Sequence, residues 1–224
     1  MGPSLVVIVP VKPLALAKSR LRVALNDDDR EALVTAMLVD TLTALRAAHP
    51  GVILLVSSDD SYREVARQFN AIRVADATLG YNEAVDMALG STAALHADAA
   101  LIVPADLPHA SPDDFRRAIA ALCDPERGAD VVVAAAFDGG TALLGLRPPR
   151  AIMTAFGTRS ADAHVRAATN ADRRVVVLDL PSLTRDIDSV DDLFVTQESL
   201  GEATRAFVAE RTVLWRGDVA HGRD

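Results

Sequence analysis

Lys12, Lys18 and Arg20 crowd one proline-flanked stretch directly behind the apolar run Leu5–Val9. Isolated surface cations are common, but cations gathered after a strand in an otherwise acidic chain are suited to neutralising a triphosphate. Asp106 sits between Pro104 and Pro108, where two prolines fix the backbone around one carboxylate. A rigid oxygen ligand of this kind suits Mg²⁺, which takes one or two carboxylates and completes its shell with phosphate and water. The other role open to Asp106 is a helix cap, for which Ser111 is better placed. Further on, Asp186 and Asp188 flank Ile187, and in an extended segment both acids fall on the same side. Asp186 is the candidate that completes the metal site, with Asp188 the lesser one; Asp191 and Asp192 read as acids of a first helical turn.

Two further stretches suit anions. In Phe156-Gly157-Thr158-Arg159-Ser160 a glycine turn leads into a helix N-terminus, where backbone N–H groups attract a phosphate or carboxylate. An ordinary cap at Ser160 explains that stretch equally well. The loop Asp138-Gly139-Gly140-Thr141 is either flexible backbone facing a ligand or a hairpin turn. Tyr81-Asn82 offers a base or ribose contact, with Asn82 equally reasonable as a cap. No P-loop, dinucleotide glycine fingerprint or nucleophile elbow is present, and the five histidines lack the paired spacing of a zinc site.

The elements that must position these groups alternate. Strands are expected at Leu5–Val9, Val52–Val56, Ile72–Ala75, Ala99–Val103, Asp130–Ala136 and Thr141–Leu146. The prolines at 10 and 13 end the first. A first helix is expected from Asp29, capped within Asn26–Asp29, with Leu33, Met37, Leu38, Leu42 and Leu45 on one face. Tyr62, Val65, Ala66 and Phe69 mark a second helix, Asn82 to about Leu95 a third, and Ser111-Pro112 opens a fourth. From Glu198 a short helix and a tail are expected. This pattern predicts one α/β domain over residues 1–224, with a mostly parallel sheet, right-handed crossovers and ligands beyond the strands' carboxyl ends.

Composition narrows the function. With 23 Lys+Arg against 31 Asp+Glu the chain is acidic, which speaks against a nucleic-acid-coating role. Cys123 is the sole cysteine, a buried or half-buried helix residue in expectation, and suits a reducing cytoplasm. No basic leader precedes the first apolar run and no stretch reaches the length of a membrane span, so a soluble cytoplasmic protein is expected.

Taken in order, the Val9–Leu21 run, Gly80-Tyr81-Asn82-Glu83-Ala84-Val85, Pro104-Ala105-Asp106-Leu107-Pro108, Phe156–Ser160 and Asp186-Ile187-Asp188 resemble the CofC/FbiD guanylyltransferases of coenzyme F420 biosynthesis. The resemblance spans about residues 5 to 195. It implies a single-domain, Rossmann-like nucleotidyltransferase fold, a mostly parallel mixed sheet flanked by helices, and an Mg²⁺-dependent enzyme that joins GMP from GTP to a small phosphorylated carboxylic acid and releases pyrophosphate. The acid in that family is 2-phospho-L-lactate, phosphoenolpyruvate or 3-phospho-D-glycerate, and the alanine-rich composition favours the latter two. By the resemblance, Lys12 meets the triphosphate, with Lys18, Arg20 and Asn82 on the nucleotide side. Asp106 and Asp186 hold Mg²⁺, and Gly157 and Ser160 contact the acid, with Thr141 in the same pocket. A homodimer, and handover of product to the next F420-pathway transferase, stay open. So do two other readings: a nucleotidyltransferase of the molybdenum-cofactor type, which the missing Gly-Gly-x-Gly-x-Arg loop disfavours, and a silent nucleotide-binding homologue. Where the family usually carries Gly-Thr-Gly-Thr, this chain has Asp138-Gly139-Gly140-Thr141. A carboxylate there repels a phosphorylated acid unless it turns away or meets a cation.

Overall fold

The computed structural model describes residues 3–76, 80–185, 187, 192 and 197–221, with side chains as far as 211 and not at 197. The candidate ligands Asp186 and Asp188 lie outside the described residues. Seven strands form one sheet: β1 (Leu5–Pro10), β2 (Val52–Ser57), β3 (Ile72–Ala75), β4 (Ala99–Ile102), β5 (Val131–Ala135), β6 (Thr141–Leu146) and β7 (Val175–Val177). Their order is β3-β2-β1-β4-β6-β5-β7. Only β6 runs against its neighbours, antiparallel to both β4 and β5. The chain works outward from β1 in one direction through β2 and β3, then returns to place β4 on the other side. The crevice beyond β1 and β4 is therefore the topological switch point, where parallel sheets bind their ligands.

Side-chain alternation along β1 divides the core. Val7 and Val9 join a cluster on one face with Leu38, Leu42 and Leu45 of α1 (Asp27–Ala48) and Phe115, Ala118 and Leu122 of α5 (Pro112–Cys123). Val6 and Ile8 point to the other face, against Ala84, Val85 and Ala88 of α3 (Tyr81–Leu89) and Ala161 and Ala168 of α6 (Ser160–Asn170). Because β1 is covered on both faces it reads as one unbroken apolar run. Asn26 caps α1 through Asp29 N–H at 2.7 Å, and the five predicted apolar positions of α1 are all buried.

Four elements differ from expectation. Pro10 is the last residue of β1 rather than the first beyond it, because Val11 supplies the N–H that Pro10 lacks, donating to the Val56 carbonyl at 2.8 Å. The third helix is broken at Gly90, after which Ser91 caps a separate turn, α4 (Thr92–Leu95). The unforeseen β7 is three residues long and pairs with β5, a length at which alternation gives no signal. The C-terminal segment is one helix, α7 (Glu202–His221), running through Gly217, in place of a short helix and tail. Asp40 of α1 caps it, accepting Ala203 and Thr204 N–H at 2.9 and 2.8 Å, while Arg211 pairs with Asp29 at 2.7 Å. The two helices thus run antiparallel and close a third cluster around Leu33, Met37, Phe207 and Val208. Among the described residues no helix is long and apolar enough to cross a membrane.

Candidate functional site

The sequence after β1 cannot stay in the sheet, and three side chains fix where it goes. Tyr62 Oη donates to the Lys12 carbonyl at 2.9 Å, and Asp59, just after β2, accepts Leu14 N–H at 2.9 Å. From behind, the buried guanidinium of Arg30 on α1 donates to the carbonyls of Leu14 and Ala17. The loop then turns through a left-handed residue, Lys18, at φ 47°, a conformation that costs energy outside glycine and is enriched at functional sites. That turn brings Lys18 Nζ to 2.8 Å from Asp106 Oδ2.

Asp106 is held as rigidly as its prolines suggest, with help from α1. Thr41 Oγ1 lies 3.2 Å from the Ala105 carbonyl and accepts Leu107 N–H at 3.1 Å, so it grips both sides of the aspartate. Burial works to raise the Asp106 carboxyl, but Lys18, through charge and hydrogen bond, and Lys12 more weakly, outweigh it and hold the group below the usual carboxylate range. It stays an anion at neutral pH.

Two adjoining lobes meet over this pair. The first, of about 450 Å³, is lined by Lys12, Lys18, Arg20 and Asp106. The second, of about 310 Å³, is lined by Thr141, Gly157 and Ser160 together with Lys12 and Asp106. Lys12, Tyr81, Asp106 and Asp138 belong to both. Residues from five separate stretches of sequence therefore converge on one cleft at the switch point.

The second lobe has a polar wall. Thr141 Oγ1 lies 2.8 Å from Ser160 Oγ and 3.0 Å from His164 Nδ1, and His164 Nε2 lies 2.9 Å from Ala155 N. A backbone N–H can only donate, so Nε2 accepts and the neutral ring carries its proton on Nδ1, facing Thr141. Whichever hydroxyl then donates to the other, one hydroxyl proton of the Thr141–Ser160 pair is left for an anion in the lobe. Burial lowers the His164 pKa to about 4, so the ring is neutral at ordinary pH. Ser160 is the first residue of α6 rather than its cap; the cap position is taken by Arg159 in a left-handed conformation. Gly157, at φ 150°, occupies backbone space that side chains disfavour.

Asn82 stands apart from the other candidates, since it lines neither lobe. Its amide accepts Phe156 N–H at 2.7 Å and donates to the Phe156 carbonyl at 3.0 Å, tying the glycine turn to α3. Asp138 Oδ1 accepts Gly140 N–H at 2.8 Å within its own hairpin, and the residue lines both lobes. His164, Arg30 and Thr41 are not among the site residues expected from the sequence. For His164 the signal was present: it lies four residues from Ser160 and so shares its helix face.

Comparison with known proteins gives the family. The family model described as "Guanylyl transferase CofC like" matches residues 5–207. The chain belongs to the CofC-like guanylyltransferase family. Among its relatives, the phosphoenolpyruvate guanylyltransferase of Roseiflexus sp. (strain RS-1) is 37% identical over 210 residues, covering 94% of this chain and 92% of that protein. The 2-phospho-L-lactate guanylyltransferase of Methanothermobacter thermautotrophicus is 34% identical over 187 residues, covering 83% and 81%. Among solved structures, a nucleotide-diphospho-sugar transferase of Desulfovibrio desulfuricans G20 superposes with a TM-score of 0.75 at 20% identity, covering 95% of this chain and 97% of that one. That likeness shows that this CofC-like chain shares the α/β fold of that protein.

Proposed function

We propose that this guanylyltransferase moves GMP from GTP to the phosphate of phosphoenolpyruvate, with 3-phospho-D-glycerate as second choice and 2-phospho-L-lactate third, in coenzyme F420 biosynthesis. The observation that carries the reading is the pair of lobes sharing Lys12 and Asp106, one lined by cations and the other by hydroxyls. The extent of the match to a relative named for phosphoenolpyruvate supports that acid over the others.

In the reaction a phosphate oxygen of the acid forms a bond to the α-phosphorus of GTP. The bond from that phosphorus to the bridging oxygen breaks, and pyrophosphate leaves with the electron pair. Both partners are anions, so the chain's task is to cancel repulsion and align them. Lys12, Lys18 and Arg20 bind the triphosphate, and Thr141, Ser160 and the backbone at Gly157 orient the acid. A phosphate nucleophile is already ionised, so no side-chain base is required, and the neutral His164 takes no proton.

The residues present fit a divalent cation. Asp106 is an ionised carboxylate at the lobe junction, a hard oxygen ligand of the kind that Mg²⁺ takes. Asp106 and Asp186 would hold it, and when bound it supplies neutralising charge for the phosphates and for the leaving pyrophosphate. Pyrophosphate release from GTP with each acid in turn, with and without Mg²⁺, tests the proposal. Release that requires both an acid and the metal is expected. Retained GTP binding with no release for any acid would favour a silent homologue.

A further inference from the structure

Lys18 and Asp106 meet from distant parts of the chain, yet the backbones that carry them are both gripped by one helix, α1. Arg30 takes the Leu14 and Ala17 carbonyls, the second of them next to Lys18. Thr41 stands eleven residues further on, about three turns at 3.6 residues each, so it falls on the same face. Its side chain is fully buried beside the apolar positions Leu38, Leu42 and Leu45, where packing alone needs no hydroxyl. Thr41 Oγ1 accepts Leu107 N–H at 3.1 Å, and the Ala105 carbonyl lies 3.2 Å away. Its single proton sits between that carbonyl and the Met37 carbonyl, one turn back on α1 at 2.9 Å. The bond within the helix fixes χ1 of a β-branched side chain, so α1 itself aims the lone pair that receives Leu107 N–H.

We propose that Thr41 is a positioning residue for guanylyl transfer: its hydroxyl, clamping the peptide groups on both sides of Asp106, sets that carboxylate against Lys18 at the junction of the two lobes. The inference rests on the transfer reading above and adds a residue that touches no substrate. Catalysis of phosphoryl transfer is almost entirely placement and charge, and a displacement of about 1 Å can cost about 100-fold in rate. Pro104 and Pro108 stiffen the loop, but neither has an N–H by which the fold could hold it. The Leu107 N–H, given to Thr41, anchors the C-terminal side of the aspartate instead. Without the hydroxyl that N–H is buried and unpaired, and the loop relieves the cost by moving.

The test pairs Thr41→Val, which swaps the hydroxyl for a methyl at nearly constant volume, with Thr41→Ser, which keeps the hydroxyl and drops the methyl. Steady-state kcat, KM for GTP, KM for the acid and the melting temperature are measured beside the wild type. Thr41→Val should lose about 10- to 100-fold in kcat while both KM values change by less than about threefold. Thr41→Ser should keep kcat within about threefold, although the lost methyl lowers its melting temperature by about 2–4 °C. Activity that follows the hydroxyl and not the stability is what a purely structural threonine would not give. Thr41→Ala, which lacks hydroxyl and methyl together, should fall with Thr41→Val and carries the comparison if Thr41→Val does not fold. A kcat within about twofold of wild type in either hydroxyl-free variant overturns the inference, as does a loss in Thr41→Ser equal to theirs. Loss of the folded far-UV circular dichroism in both hydroxyl-free variants overturns it in favour of a structural role. A wild-type protein that releases no pyrophosphate overturns the transfer reading itself, an outcome distinct from an active wild type matched by an active Thr41→Val protein.

Discussion

Replacing His164 with Gln should flatten the acid side of the stability profile by a calculable amount. The ring is fully buried, and its pKa falls from 6.5 to about 4 on folding because burial disfavours the charged form. Between those values the unfolded chain binds the proton that the folded chain refuses. Stability is therefore intact above about pH 6.5, declines as pH falls, and the His164 contribution is gone below about pH 4. From about pH 7.5 to about pH 5 this single group costs about 2 kcal/mol. Gln can offer its side-chain carbonyl to Ala155 N–H in place of Nε2 and does not titrate. Urea unfolding of both proteins at the two pH values gives the comparison. His49 and His109, also lowered chiefly by burial, contribute equally to each protein and cancel in the difference. The wild type should lose about 2 kcal/mol more than the variant over this interval. Equal losses would refute the neutral, buried assignment of His164 and with it the tautomer that leaves a hydroxyl proton for the acid.

Other substitutions probe the remaining walls. Asp106→Asn should lower turnover by at least about 100-fold while far-UV circular dichroism stays that of the wild type; full activity would remove the metal assignment. Arg30→Met strips the donors from the Leu14 and Ala17 carbonyls, so denaturant unfolding should show a loss of about 2–3 kcal/mol and kinetics a KM for GTP raised about tenfold, with the KM for the acid little changed. Equal changes in the two KM values would contradict its place behind the cation loop. Asp138→Gly removes an anion from the rim of the second lobe and should lower the KM for the acid several-fold, more than that for GTP; an unchanged acid KM would show that the carboxylate is already turned out of the way.

Much of this fold was written in local pattern. The unbroken apolar run of β1, the cap at Asn26 and the heptad-like face of α1 need no distant partner to be read, and Lys12 and Asp106 follow from their positions after strands. What the pattern cannot contain is pairing across the chain. Lys18 reaches Asp106 only because the chain turns left-handed at Lys18, and Asn82 meets Phe156 across 74 residues. The same limit hid Arg30, whose position on α1 resembles any helix surface cation until the loop it grips is folded over it. Asn82 shows the consequence: its type suited a nucleotide contact, and the fold ties both ends of its amide to the turn that shapes the second lobe.

The account stands most directly on the identity of the adduct. The protein is incubated with GTP, Mg²⁺ and an equimolar mixture of phosphoenolpyruvate, 3-phospho-D-glycerate and 2-phospho-L-lactate, and the GMP-linked product is identified by mass. A GMP adduct of phosphoenolpyruvate as the main product is predicted. GMP found only as the free nucleotide, or joined to none of the three acids, would contradict the two-lobe account of guanylyl transfer.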